Sequence, residues 1–192
     1  MVAATSENGA VVTNGMSPFV RKDENSNAAL LVSVTPEDFG SSHPLAGFDF
    51  QRKIETKAYS LTSEYVAPAT RLSDFLSSST PTIGSVKPSY PRGVMPISPD
   101  NFLPDYIIYS LSSAMKDFDS WLPGYNYGDA VLTGPETRTT SPVRILRGES
   151  GEALGFSGIY PAGEGAGYAG GIISSATDGI RIAEKLILKY CE

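Results

Sequence analysis

Histidine and cysteine are almost absent from this sequence. Of its 192 residues, one is a histidine, His43, and one is a cysteine, Cys191. A zinc centre built from these residue types is therefore excluded, and a single cysteine cannot close a disulfide within the chain. A Ser-His-Asp triad would need His43, and no G-x-S-x-G motif accompanies it. We expect neither a metal site nor hydrolase activity.

Strong positive charge and long apolar runs are also missing. The chain carries 15 lysines and arginines against 21 aspartates and glutamates, a net charge of −6. Without a basic run to offset that charge, we expect no binding to nucleic acid. No apolar stretch approaches the ~20 residues of a membrane-spanning helix, so we expect no membrane association. The single cysteine and the lack of a leader-like start predict a cytoplasmic protein, with an organelle matrix left open.

Hydrophobic periodicity predicts a mixture of strands and helices. Two short apolar segments, Val2–Thr5 and Ala10–Thr13, flank Asn8 and Gly9, a pair that favours the tight turn of a β-hairpin. Residues 77–104 are rich in serine and proline and have no sustained period, which predicts a long loop. Further strands are predicted at residues 28–34, 129–133, 143–146 and 156–162, and helices over residues 50–61, 72–76, 104–121 and 172–187.

Three of these helices have apolar residues at helical spacing, which predicts their inward faces. The first has Phe50, Ile54, Ala58 and Leu61, and the third has Ile107 or Ile108 with Leu111, Met115 and Phe118. In the last helix the predicted inward residues are Ile172, Ile173, Ala176, Ile180, Ala183 and Ile187, and Asp178 is counted among the polar ones.

Glycine is concentrated near the C-terminus, where nine of the 19 glycines lie between Gly148 and Gly171. Residues 165–170 match G-x-G-x-x-G between a predicted strand and a predicted helix, but no second strand with an acidic residue follows. An ordinary dinucleotide fingerprint is therefore not predicted. The glycines still let the backbone approach a flat ligand, and the start of the helix favours an anion or a carbonyl oxygen. Glu164 could accept hydrogen bonds from sugar-alcohol hydroxyls; the alternative is a glycine turn packed under a helix.

The segment Gly158-Ile-Tyr-Pro-Ala-Gly-Glu-Gly-Ala-Gly-Tyr-Ala-Gly-Gly-Ile-Ile-Ser-Ser-Ala-Thr-Asp-Gly179 resembles the C-terminal motif of a family of FAD-dependent dehydrogenases. These proteins are relatives of the glutathione-reductase-like flavoproteins with an FAD/NAD(P)-binding fold. Further blocks that resemble the family are residues 14–17, 21 with 25–27, 47–52, 67–68 with 74–75, 88–90 and 136–144.

The resemblance implies FAD as the cofactor, with NAD(P)H as a second substrate. The wider group has Gly-Asp at the flavin ribityl chain, where this sequence has Gly163-Glu164. The implied flavin contacts are Gly163, Glu164, Gly165, Gly167, Gly170, Gly171 and Ile172. Because the flavin supplies the redox chemistry, no catalytic side chain is assigned.

The implied fold is α+β, the C-terminal portion of an FAD/NAD(P)-binding fold with an inserted mixed α/β cap. Residues 1–20 would return to the flavin-binding lobe, residues 21–148 would form the cap over the substrate, and residues 151–192 would form the flavin-binding strand, loop and helix. The family's glycine loop for the ADP portion of FAD has no counterpart here, so we expect a fragment that is inactive alone and exposes apolar surface for self-association.

Two arginines, Arg138 and Arg144, flank the hydroxyl-rich turn Thr139–Pro142. Paired guanidinium groups suit an anionic small-molecule substrate or a cofactor phosphate. The alternative is that both arginines form ion pairs on a surface hairpin. Two other classes stay open for the whole chain, a non-catalytic nucleotide- or anion-binding module and an interaction domain.

Overall fold

The computed structural model describes residues 1–4 and 6–191, which form short strands and four helices. This mixture is compatible with the predicted α+β class. The strands are β1 (Val2–Ala3), β2 (Thr13–Asn14), β3 (Ala67–Arg71), β4 (Val94–Pro96) and β5 (Val131–Thr133). The helices are α1 (Ala46–Thr62), α2 (Leu72–Leu76), α3 (Asp105–Trp121) and α4 (Ile172–Tyr190). None of the helices in the described ranges is long and apolar enough to cross a membrane.

The chain divides into two compact units. Residues 1–35 and 50–137 form the first, and residues 36–49 and 138–192 form the second. The first unit contains all five strands and two apolar clusters. The second contains the glycine-rich segment and α4. The division into residues 1–20, 21–148 and 151–192 concerns a longer flavoprotein and stays a prediction.

The N-terminal hairpin is confirmed. Strands β1 and β2 pair antiparallel, with Val2 opposite Asn14, and the chain turns at Asn8 and Gly9. Gly9 has φ +73°, a conformation that glycine adopts without steric cost. Thr5, at the end of the predicted first strand, lies outside the described residues.

The second sheet has the order β4-β3-β5. Strand β3 pairs parallel with β4 and antiparallel with β5. The predicted loop over residues 77–104 is therefore partly wrong, because it contains β4 and a short 3-10 helix, Pro99–Asn101. Parallel pairing requires a long crossover, and α2 with the segment after it supplies that crossover.

A charged network ties the crossover to the end of β3. The guanidinium group of Arg71 donates to Asp74 at 2.7 Å and to Asp129 at 3.3 Å. Asp74 also accepts from the Thr82 hydroxyl, and Asp129 accepts from the Ser85 hydroxyl. The Arg71 hydrogen bond, followed by that of Thr82, holds the pKa of Asp74 well below its usual range. These bonds fix both ends of the segment between residues 82 and 85.

Helices α1 and α3 confirm most of their predicted inward faces. In α1, Ile54 and Ala58 are buried in the first apolar cluster, but Leu61 is exposed and Thr62 is buried instead. In α3, Ile107 and Met115 are buried. Helix α3 begins directly after Pro104, whose fixed φ suits the start of a helix.

Three predicted strands are wrong. Residues 28–34, 143–146 and 156–162 form no strand, and an isolated bridge between Arg147 and Ala153 is the β-pairing that the described residues show near the last two. Residues 156–159 are exposed rather than buried inside a sheet. Gly155, Gly158 and Gly163 all have positive φ, which turns the backbone away from an extended path.

Candidate functional site

Residues 163–168 form a tight turn just before α4, and this turn is called the glycine turn below. The Gly167 N–H donates to the Glu164 carbonyl at 2.8 Å, and the Tyr168 N–H donates to the Gly163 carbonyl at 3.0 Å. Gly163 is buried and has φ +70°, so a side chain at this position would strain the backbone. The turn leaves the Glu164 side chain exposed. Within the described residues the Glu164 carboxylate has no hydrogen-bond or ion-pair partner.

A single carboxylate, that of Asp178 in α4, anchors this turn. It accepts from the buried Gly163 N–H at 2.8 Å and from both terminal nitrogens of Arg147, at 2.6 and 2.9 Å. Arg147 also donates to the Pro161 carbonyl at 2.8 Å. Both charged side chains are largely enclosed, with 10% of Asp178 and 16% of Arg147 exposed. The start of the turn is therefore tied to the second turn of α4.

The electrostatics agree with this geometry. The hydrogen bonds from Arg147 lower the pKa of Asp178 from 3.8 to about 2, although burial acts in the opposite direction. The same contact raises the pKa of Arg147. Asp178 is therefore ionised at neutral pH and neutralises Arg147.

The Tyr168 ring lies beneath two arginines that differ in their partners. The Arg147 guanidinium carbon is 3.6 Å from the ring centroid and that of Arg144 is 5.2 Å away, both within cation–π range. Arg144 donates from Nε to the Gly167 carbonyl at 2.9 Å. Across residues 1–4 and 6–191, its terminal Nη atoms have no acceptor and no carboxylate neutralises it. Arg144 therefore supplies an uncompensated positive charge.

A cavity of about 320 Å³ lies beside Arg144. The turn between Arg138 and Arg144 provides one wall and the glycine turn the other. The cavity is comparable in size to the smaller ligand pockets of proteins. Arg138 is exposed and is not among the lining residues, so these two arginines do not form a pair in this cavity. The lining consists of Thr140, Ser141, Arg144, Gly167, Tyr168 and Ala169.

The glycines of the segment differ in their surroundings. A Cβ atom on Gly167 would collide with the Val143 carbonyl, and one on Gly170 would lie 2.8 Å from a methyl carbon of Thr140. These two glycines therefore permit close packing of the glycine turn on residues 140–144. Gly165 and Gly171 have open space or distant neighbours where a side chain would extend. Contact of any of the four with a flavin stays a prediction.

The start of α4 is exposed. Gly171 precedes the first turn, and the Ser174 hydroxyl accepts from the Gly171 N–H at 3.1 Å. The next amide groups, those of Ile172 and Ile173, have no intrahelical acceptor because they belong to the first turn. Ile172 is 89% exposed, which leaves this end of the helix open to a ligand. Contact of Ile172 with a flavin stays a prediction.

The predicted inward face of α4 is not buried within this chain, which agrees with the expectation that the chain exposes apolar surface. Ile172, Ile173, Ile180 and Ile187 are at least half exposed, and Ala176 and Ala183 are exposed too. The buried residues are Asp178 and Ile182. The physical reason is the Asp178–Arg147 ion pair, which orients the polar side of the helix inward.

Sequence reasoning missed the residues that hold the site together. The sequence places Asp178 among the polar residues of the last helix and assigns Arg147 no role in the site. The available signal was the spacing of four between Asp178 and Ile182, which puts the carboxylate on a buried face. Tyr168 was assigned no flavin contact, and its ring supports the two arginines.

Comparison with known proteins assigns a class to this chain. Residues 1–139 match the family described as FAD-dependent protein, C-terminal domain-like. The match covers more than two thirds of the chain, and the chain therefore belongs to this family. The connection to FAD expected from the sequence is confirmed at this level. The glycine turn and α4 lie outside the matched residues.

An individual relative aligns with almost all of this chain. An uncharacterized protein from Clostridium beijerinckii is 47% identical over 192 residues, which is 99% of this chain and 36% of that protein. The chain thus spans about a third of the length of the curated relative that it matches. The glycine turn and α4 lie within this alignment.

Proposed function

We propose that this chain is the flavin-contacting and substrate-capping part of an FAD-dependent oxidoreductase, a dehydrogenase in which the ADP end of FAD is bound elsewhere. The observation that carries the proposal is the glycine turn with its exposed, unpartnered Glu164 carboxylate at the open start of α4. Membership of an FAD-dependent family supports it. NAD(P)H as the second substrate belongs to the same proposal and rests on the resemblance alone.

The chemistry of the turn suits the flavin end of FAD. A carboxylate accepts hydrogen bonds from ribityl hydroxyls, and free N–H groups at the start of a helix donate to a carbonyl oxygen or an anion. Two enclosed hydroxyls, Thr139 Oγ1 and Ser175 Oγ, have no hydrogen-bond partner in the described residues. Orphaned polar atoms of this kind support a bound group in the neighbourhood.

The residues of this chain would act by positioning. Bound FAD supplies hydride transfer, and the protein supplies orientation and electrostatics. The Asp178 carboxylate fixes the backbone at Gly163, so that Glu164 follows at a defined place. Arg144 would hold an anionic group of the substrate or a phosphate in the neighbouring cavity, because its charge is uncompensated. Arg138 would act with Arg144 only if ligand binding brought it toward that cavity.

The role of Glu164 can be tested by flavin retention. In the full-length protein, Glu164→Ala should weaken FAD binding by about 1.5–3 kcal/mol, because hydrogen bonds to a charged acceptor are lost. Bound flavin is measured by its visible absorbance after gel filtration. Glu149→Ala, another exposed glutamate in the second unit, is the matched control and should retain FAD. Equal retention in both variants would contradict the role of Glu164.

The role of the arginines can be tested with conservative changes. Arg144→Lys keeps the charge and loses the planar geometry, so we expect at least a tenfold rise in KM for an anionic substrate, about 1.4 kcal/mol. Arg138→Lys should have a smaller effect, because Arg138 does not line the cavity. Turnover and thermal stability are measured together. Unchanged KM and turnover in both variants would make the two arginines structural.

A second function is favoured by the uncompensated charge of Arg144. A non-catalytic anion-binding module needs only the cavity beside that arginine, and it would bind phosphate without a flavin. The visible spectrum of the purified full-length protein separates the two proposals. Flavin bands that bleach on reduction support the oxidoreductase, whereas phosphate binding to a colourless protein supports the module.

A further inference from the structure

A second cavity lies in the first unit, away from the glycine turn and independent of the proposed FAD site. Its volume is about 280 Å³. The floor is apolar, since Val11 and Val12 are 1% and 2% exposed. Ala3 and Ala4 from the N-terminal hairpin add methyl groups, and Ser6 adds a hydroxyl. The remaining lining residues are Tyr65, Tyr90 and Arg92.

The aromatic wall of this cavity is held by a strained turn. Ser63, Glu64 and Tyr65 have φ of +60°, +50° and +63°, a left-handed run that is costly for residues other than glycine. The Tyr90 hydroxyl donates to the Tyr65 carbonyl at 3.2 Å and locks the end of the turn. Strain of this kind is concentrated at functional sites, because it persists only where the surrounding structure enforces it.

The strained turn fixes the Tyr65 ring from several sides. The ring meets that of Tyr59 edge-on at 5.0 Å, and the Tyr65 hydroxyl donates to the Asn8 side chain at 3.3 Å. The Arg92 guanidinium carbon lies 5.6 Å from the ring centroid. Tyr65 is thereby fixed between the hairpin turn and Arg92.

Arg92 brings an uncompensated positive charge to a cavity whose floor is apolar. It is exposed, and within residues 1–4 and 6–191 no carboxylate pairs with it. A guanidinium group supported by an aromatic face is oriented to bind a carboxylate through two parallel hydrogen bonds. In a cavity of about 280 Å³, the alanine and valine floor accommodates a small apolar body.

We propose that this cavity binds a small monocarboxylate with an apolar body, its carboxylate on Arg92 and its body against Ala3, Ala4 and Val12. The charge defines one end of the ligand and the methyl-lined floor the other. Acetate lacks the apolar body and a primary amide lacks the charge, so each uses only half of the site.

The test uses the 192-residue chain and three probes: phenylacetate, phenylacetamide and acetate. Titrations are followed by amide chemical shifts of residues 3, 4, 12 and 92. We expect saturable binding of phenylacetate with a Kd of about 1 mM or lower, and at least tenfold weaker binding of the other two probes. Shifts that do not saturate, or that are equal for the amide, overturn the proposal.

Two variants and one control distinguish the contribution of the Arg92 charge to binding from that of the cavity volume. Arg92→Gln should weaken phenylacetate binding at least tenfold, whereas Arg21→Gln, at another exposed arginine of the same unit, should leave it unchanged. Ala3→Leu fills the cavity without changing charge and should abolish saturable binding while the remaining amide shifts stay native. Retained binding in Arg92→Gln, or an equal loss in Arg21→Gln, overturns the assignment.

Discussion

Replacing Asp178 with asparagine is expected to lower the unfolding free energy of the second unit by about 3 kcal/mol, because it leaves an enclosed arginine without its carboxylate. The variant keeps the size of the side chain and loses the ion pair with Arg147. The buried Gly163 N–H also loses a charged acceptor. Urea unfolding monitored by amide exchange in α4 measures the effect within this unit.

The stability of the second unit at acidic pH should depend on the same carboxylate, that of Asp178. The folded pKa of Asp178 is about 2, below the value of 3.8 for the free side chain. The contribution of Asp178 to the unfolding free energy is therefore fully present above about pH 4 and is lost as the pH falls toward 2. Asp178→Asn should reduce the pH dependence of the unfolding free energy between about pH 4 and 2, since the asparagine has no carboxylate to protonate.

Glu184→Gln is the matched control, because it removes an exposed carboxylate from the same helix. It should change the unfolding free energy by no more than about 0.5 kcal/mol. A double change, Asp178→Asn with Arg147→Gln, should cost less than the sum of the single changes, because the two side chains are in contact. Additive costs, or an Asp178→Asn variant as stable as the control, would refute the anchoring role.

The isolated 192-residue chain is expected to self-associate through α4. Ile173, Ile180 and Ile187 are 78%, 61% and 52% exposed and recur at intervals of seven, which places them along one side of the helix. Exposed apolar stripes of this kind drive association in water. Ile180→Glu should raise the dissociation constant of the dimer at least tenfold, about 1.4 kcal/mol, because it puts a charge in the contact.

A change outside this stripe provides the control. Ile159 is 52% exposed, as Ile187 is, but lies in the loop before the glycine turn. Ile159→Glu adds the same charge and should leave association unchanged. Sedimentation equilibrium over a range of protein concentrations measures both variants. A monomeric parent chain, or equal effects of the two substitutions, would exclude α4 as the contact.

Local patterns were sufficient to predict the helices. Helix α3 follows a proline and buries Ile107 and Met115, both of which its periodicity indicated. Such signals are reliable because helical hydrogen bonds and side-chain spacing involve residues close in sequence. The hairpin was predictable for a similar reason, since Asn8 and Gly9 specify its turn.

The strands and the anchor of the site depend on distant partners. Residues 143–146 and 156–162 have apolar character, yet a strand forms only where a neighbour pairs with it. Arg147 and Asp178 are 31 positions apart, so no local pattern links them. The orientation of α4 within this chain follows from that pair, which turns Asp178 inward and leaves the isoleucine stripe exposed. The sequence alone could indicate the glycine turn and Arg144, but it could not indicate the long-range contacts that fix their positions.

The anchoring at Asp178 also makes the loop before the glycine turn a suitable place for an insertion. The Arg147 guanidinium donates to the Pro161 carbonyl, so the two ends of the chain between these residues are tied to each other. Residues 154–159 are exposed and lie between these fixed ends. Exposed loops with anchored ends tolerate insertion, because the added chain does not displace packed atoms. A reporter peptide or a spectroscopic label could therefore be grafted there while the glycine turn keeps its place.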